Sequence, residues 1–530
     1  MSLTRRDVFK LSVLAGGALL LPLERGVRSV RAAAANRMAE SSLPRPFSLP
    51  FSAPPLARPV RSDATTDYYS LTMREQATEI LPGYQTAIWG YDGTFPGPTL
   101  DVQQGREVVV RHVNQLPAAH PTLAYTPYTS VHLHGSASLP HYDGYASDVT
   151  FPGYYKDYRY PNFQSARTLW YHDHGVHHTA SNVYMGLAGM YRMHDSLEQS
   201  LPIPAGAYDV PLVISDAMFD NQGQLLFDDN DESGVFGDVI LVNGRPWPVM
   251  QVERRKYRFR ILNASVTRTY EWRLDSGGPM VVIATDGGLM PAPRTVKRLL
   301  HGNAERYEVI IDFAQYSIGQ RVTLRNISPT NNIDYTNTNK VMAFDVVAEA
   351  STTAGNEIPT VLNSNNPVMK LGVAKATATR TMDLVRSGGQ WTINGQTWAD
   401  VEASAYQMSL ASPALNAVEI WELRNDSGGW HHPLHIHLID FRILDREVDR
   451  SGIRLAPRAH ERGPKDVVHI GENERVRVLA KFGPHNGRYM IHCHNLVHED
   501  HDMMGQFTVG EGGYDPITTA PAQPFPAPAL

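Results

Sequence analysis

The chain has 530 residues, one cysteine (Cys493) and a formal charge of −6 from 48 basic and 54 acidic side chains. One thiol excludes a disulfide framework, a zinc ribbon and an iron–sulfur cluster. The mild negative charge excludes a nucleic-acid binder that relies on neutralising phosphates.

The chain opens on an address. Thr4-Arg5-Arg6-Asp7-Val8-Phe9-Lys10 precedes the apolar run Leu11 to Leu23 and the small residues Ala32 to Ala35. Paired arginines, a short apolar core and an alanine-rich exit are the pattern of a twin-arginine (Tat) signal peptide over residues 1–35. The run is too short to cross a bilayer, and no other stretch is long and apolar enough, so no membrane span is expected. The Tat translocase is the expected partner in export, and the destination is periplasmic or extracellular. Residues 36–60 are rich in proline and serine and read as an extended arm.

Beyond the arm, short alternating runs bounded by Gly, Pro, Asn and Asp predict an all-β, antiparallel sandwich chain. One pattern recurs: GREVVVRHVNQL at 105–116, VERRKYRFRILNAS at 252–265 and NAVEIWELRNDS at 416–427. Each run reaches an asparagine, Asn114, Asn263 or Asn425, at a domain-sized period. Three related sandwich domains follow, at 61–200, 201–365 and 366–512. The Gly/Pro/Ala-rich residues 513–530 are expected to form a flexible C-terminal tail.

Histidine is the unevenly spread residue. Sixteen of the 22 lie in 131–178, 431–437 and 485–501, and such clustering on a β scaffold points to transition metal. The pairs His132/His134, His172/His174, His435/His437 and His492/His494 are each i, i+2. In a strand such residues share one face. Eight imidazoles are too many for one ion and imply a cluster of ions. Cys493, between His492 and His494, points the opposite way and is free to bind a second site. His432, His498 and Met503 supply the rest of that site. Two histidines, a thiolate and a weak methionine are the blue-copper set. Zinc also takes His and Cys, but does not explain the methionine.

HLHG (132–135), HDHG (172–175), HPLHIH (432–437) and HCHNLVHEDHDM (492–503) resemble the four copper motifs of multicopper oxidases. IWGYDGTFPGPTL (88–100) and LVNGRPWP (241–248) extend the likeness through the mature chain. GGWHHPLHIHLIDF (428–441) and HEDHDMM (498–504) are most similar to the bilirubin oxidase and spore-coat laccase branch.

The resemblance implies three cupredoxin-like Greek-key domains and four copper ions in a monomer. His432, Cys493, His498 and Met503 would hold type 1 copper. His132 and His435 would hold type 2. His134, His172, His174, His437, His492 and His494 would hold the type 3 pair. It implies one-electron oxidation of a phenolic, aromatic amine or tetrapyrrole donor coupled to reduction of O2 to water. Electrons would pass through Cys493, while Asp143 and Glu499 match carboxylates that deliver protons or set water protonation. The alternatives are a Cu(I) or Mn(II) oxidase and a copper-binding or structural protein without turnover. The metallo-oxidase is disfavoured because no methionine-rich insert is present. His141, His177, His178, His431, His485 and His501 adjoin ligand positions without matching them and are expected to hydrogen-bond rather than ligate. Trp430 is expected to line the electron-accepting face or to pack.

Overall fold

A computed structural model describes residues 36–230 and 232–530; the twin-arginine segment lies outside the described residues. Among the described residues there are six sheets, which fall into three facing pairs along the chain. The first pair is built from strands between Arg61 and His194, the second between Asp209 and Glu349, and the third between Ala378 and Val509. Among the described residues the helices are short, the longest α-helix being Thr179–Met185. No helix among the described residues is long and apolar enough to cross a membrane.

The three asparagines found in the repeat do the same work in each unit. The Asn114 carboxamide donates to the carbonyls of Pro127 and Thr150 and accepts from the Leu116 amide. Asn263 donates to Arg268 and His301 and accepts from Ser265. Asn425 donates to Trp430 and Gly471 and accepts from Ser427. A buried amide spends its hydrogen bonds on turning the chain out of the strand and pinning two loops beneath it. A second threefold feature is the turn at Asp92, Asn243 and Asn394, all at positive φ and each followed by glycine. Each exchanges two hydrogen bonds with a strand residue, as Asn243 does with Val213.

The expected purely antiparallel pairing is corrected. Each repeat strand pairs in parallel on one side: Thr66–Thr78 with Glu107–Gln115, Asp209–Ala217 with Lys256–Asn263, and Ala378–Ser387 with Val418–Asn425. Its other neighbour is antiparallel. The excursion between the parallel strands is long enough to permit this register.

The polar residues of these strands do not face water. Arg258 and Arg260 are buried at the junction of the first two units. Arg258 donates to Glu198 at 2.6 Å, and Arg260 donates to Asp209 at 2.8 Å and to Glu308 at 3.0 Å. His194 closes this network, 2.8 Å from Asp101 and 2.9 Å from Glu198. Burial opposes protonation of His194, but the two carboxylates raise its pKa from 6.5 to about 9. A raised pKa in the folded state stabilises it fully below pH 6.5 and loses that contribution as pH rises through 9. The shift corresponds to about 3 kcal/mol. The thermal midpoint should therefore fall between pH 6.5 and 9, and His194→Gln should flatten that dependence in pH-resolved melting curves.

Both ends of the described chain are docked. The arm runs along the second unit, where Phe51 donates to Val249, and then the first, where Ala57 donates to Thr99. Residues 513–530, expected as a flexible tail, are instead a strap from the third unit back to the first. Gln523–Pro524 pairs with Tyr154–Tyr160, and Arg111 donates to the Pro528 carbonyl. Ile517 packs against a buried cluster of Tyr145, Trp398, Met490 and Met504. The composition signalled a lack of helix or strand pattern, which is not the same as a lack of partners.

Candidate metal centres

Four strand segments carry the histidine pairs to one place. Val131–His134 pairs with Arg167–Asp173 so that His132 lies opposite His172. His432–Ile436 pairs with Gly487–Cys493 so that His435 lies opposite His492 and Leu434 opposite Cys493. The first and third units meet here, and all eight imidazoles are buried.

Three donor sets form among them: His132, His134 and His435; His134, His172 and His494; and His174, His437 and His492. In the third set, Nε2 of His492 lies 3.2 Å from Nε2 of His174 and 3.0 Å from Nε2 of His437. The opposite ring edges, that of His494 excepted, have partners. Nδ1 of His435 donates to the Asp466 carbonyl at 2.8 Å, and Nδ1 of His172 to the Asp173 carbonyl at 2.7 Å. Nδ1 of His132 donates to the Asp143 carbonyl, and Nδ1 of His437 lies 2.8 Å from Asp143 Oδ2. Nδ1 of His492 lies 2.8 Å from Glu499 Oε2, and Nδ1 of His174 3.5 Å from Oε1. His134 is turned the other way, with Nε2 3.1 Å from Asp466 Oδ1.

Outside that third set the inward edges have nothing to bond. Nε2 of His132, His172 and His435, Nδ1 of His134 and both nitrogens of His494 are buried without a hydrogen-bond partner. Such burial is costly for any one imidazole, and here it falls on a whole set facing one space. Burial, with the neighbouring rings, pushes His132, His134, His435, His437 and His494 well below the usual imidazole range, and brings His172 near 3 and His174 near 4. Their lone pairs are therefore free. A site of buried imidazoles, most of them with outward hydrogen bonds, fits transition-metal ions.

On the far face of the same strand, Cys493 Sγ lies 3.3 Å from His432 Nδ1 and 3.8 Å from His498 Nδ1, and all three are buried. The two imidazoles are turned by their other nitrogens. Nε2 of His498 donates to the Ser233 carbonyl of the second unit at 3.2 Å, and Nε2 of His432 lies 2.8 Å from Ser427 Oγ. The Met503 amide donates to His498 and its carbonyl accepts from Cys493. Met503 packs in the same buried cluster as Cys493, whereas Met504 starts the next strand and packs into a different one. Burial pushes the Cys493 thiol up, relieved only in part by the Asn495 amide 3.4 Å away. The sulfur becomes thiolate only if a cation takes its charge.

Asp143 and Glu499 both lie against the cluster, behind its histidines rather than in the open space. Burial raises the Asp143 carboxyl well above the usual range. Burial would raise Glu499 too, but His492 and His174 hold it down to about 2.

The six histidines that adjoin these positions in sequence have other partners. His431 bonds Thr269 and stacks on His469. His177 approaches the Asp500 carbonyl, His178 stacks on Tyr125, and His141 packs against Tyr142 and Tyr514. His485 meets Phe163, and His501 lies between Asp229 and Glu232.

Three features went unseen in the sequence. Trp391 stacks on His498 at 3.8 Å and donates to the Glu232 carbonyl. Half-buried Trp430 stands edge-on to Trp391 at 5.8 Å. Asp466 touches the cluster and is held by Arg306, with no motif to announce either. Asn495, in HCHN, receives a hydrogen bond from Thr267 of the second unit, and its place beside the cysteine was the one available hint.

Three multicopper oxidase family models match the chain, at residues 72–198, 183–344 and 372–513. A bilirubin oxidase of Albifimbria verrucaria is 40% identical over 482 residues, covering 87% of this chain and 81% of its own. A laccase of Bacillus subtilis (strain 168) is 34% identical, covering 85% of this chain and 96% of its own. The crystal structure of the McoA multicopper oxidase from Aquifex aeolicus matches with a TM-score of 0.74 at 29% identity, covering 87% of this chain and all of that one. The cupredoxin-like sandwich architecture, the buried histidines and single thiol that could hold metal, and these matches agree: the chain belongs to the multicopper oxidases, oxidoreductases that use O2.

Proposed function

We propose that the chain holds four copper ions and oxidises small phenolic, aromatic amine or tetrapyrrole donors. His432, Cys493, His498 and Met503 hold the type 1 ion, and His132 and His435 the type 2 ion. His134, His172 and His494 hold one type 3 ion, and His174, His437 and His492 the other. When bound, copper supplies the one-electron chemistry that couples donor oxidation to four-electron reduction of O2 to water.

The chain's own part is geometric. One observation carries the reading: the buried histidine cluster and the buried thiol site lie on opposite faces of one strand, joined by the three consecutive residues His492, Cys493 and His494. That is a covalent path of a few bonds for an electron. Burial shields the donors of both sites from bulk solvent, and outward hydrogen bonds set which nitrogen the rings other than His494 present. Over the thiolate site, Trp430 beside exposed Gly428 and Gly429 offers an aromatic face to a planar donor. The names of the relatives, bilirubin oxidase and laccase, support that donor class.

The copper-loaded protein should be blue, bleach when a phenol is added without oxygen, and recover its colour in air. Oxidation of Cu(I) in preference to bilirubin and a dimethoxyphenol would move the reading to a metallo-oxidase. Colour that no donor bleaches would make it a copper-binding protein. Export to the periplasm or beyond is supported by the twin-arginine sequence; an exported form that still contains Arg5 and Arg6 by mass spectrometry would count against it.

A further inference from the structure

The second unit contributes no donor to either set, yet it reaches the histidine cluster through one buried pair. Asp466, in the third unit, has its Oδ1 3.1 Å from His134 Nε2, while its carbonyl accepts from His435 Nδ1. One residue thus fixes a cluster histidine of the first unit and another of the third. Arg306 grips the same carboxylate with both terminal nitrogens, Nη1 at 2.8 Å from Oδ1 and Nη2 on Oδ2.

Arg306 is itself immobilised. Its Nε donates to the Thr168 carbonyl at 3.0 Å and its Nη1 to the Ala304 carbonyl at 2.9 Å. Its own amide donates to Asp286, whose other oxygen accepts from the amides of Asp466 and Val467 and pairs with Lys465. Gly135, directly after His134, has φ +88°, and a Cβ there would lie 2.6 Å from both Arg306 Nη2 and Asp466 Oδ2. The glycine of HLHG is thus needed for the close approach of this pair as well as for its backbone conformation.

The consequence is specific to one ring. A carboxylate saturated by a guanidinium can only accept, so His134 must carry its proton on Nε2 and present Nδ1 inward. His172 and His435, which donate from Nδ1 to carbonyls, present Nε2 instead. We propose that Asp466, held by Arg306, is a positioning residue that sets which nitrogen His134 presents, so that the second unit controls a metal cluster to which it gives no ligand. This rests on the four-copper reading above.

The test uses the full chain loaded with Cu(II). Asp466→Asn is isosteric but can donate as well as accept, and should weaken copper binding at the cluster about 10–100-fold. The near-ultraviolet absorption of the coupled copper pair should fall, while the visible band of thiolate-bound copper keeps its intensity. Arg306→Lys retains the charge but not the two-pronged grip, and should give the same change more weakly. It carries the test alone if Asp466→Asn does not fold. Cluster copper and spectra unchanged from those of the unsubstituted protein would overturn the proposal. So would joint loss of both absorptions, which marks a merely structural role. If the unsubstituted protein itself binds copper with neither absorption, the four-copper reading fails first, and this proposal with it.

Discussion

Cys493→Ser should remove the visible blue band and lower donor-dependent O2 consumption by more than about a hundredfold. Losing an outer partner of a metal ligand already costs up to about that factor. Cys493 is proposed as both a ligand and the link between the sites, so its loss must cost more. Serine keeps nearly the same volume but offers a hard oxygen that does not ionise near neutral pH, so the soft ligand of the set is gone. The cluster histidines on the opposite strand face are untouched. Copper analysis should therefore show one ion missing out of four, with the near-ultraviolet absorption kept. If the variant stays blue and consumes oxygen at the original rate, Cys493 is not the ligand.

The part of this arrangement that the sequence discloses is local. Strand periodicity places His132 with His134 and His492 with His494, and turns Cys493 the other way, because i and i+2 share a face whatever the tertiary context. The asparagine repeat was legible for a similar reason, since a side chain that turns its own strand end does so within a few residues. What the sequence hides is set by distant partners. Arg258 and Arg260 look like solvent-facing alternates until Glu198, Asp209 and Glu308 are brought to them. Trp391 is 107 residues from the histidine it stacks on, and Arg306 is 160 from Asp466. No spacing rule reaches that far. The parallel pairs and the docked tail were missed on the same ground: both depend on which surface the chain meets after a long excursion.

The same distinction bears on Asp143 and Glu499, whose types were legible and whose positions were not. Each lies behind two ligand histidines, Asp143 at His437 and His132, and Glu499 at His492 and His174. Their surroundings push them apart: burial favours a proton on Asp143, whereas the imidazoles favour an anion at Glu499. Two carboxyl groups separated in this way can divide the tasks of giving and accepting protons. A carboxyl group that served only to orient rings could be replaced by its amide with modest loss. One that moves protons could not, because an amide does not ionise. Asp143→Asn and Glu499→Gln should therefore each slow reoxidation by O2 about 10²–10⁴-fold, the span of general acid–base catalysis. Bleaching of the blue band by an anaerobic donor should keep its rate, because Cys493 and its partners lie on the other strand face. Stopped-flow measurement of the two half-reactions separates the cases. Full-speed reoxidation in both variants, with copper content intact, would reduce the two carboxylates to anchors for the histidines.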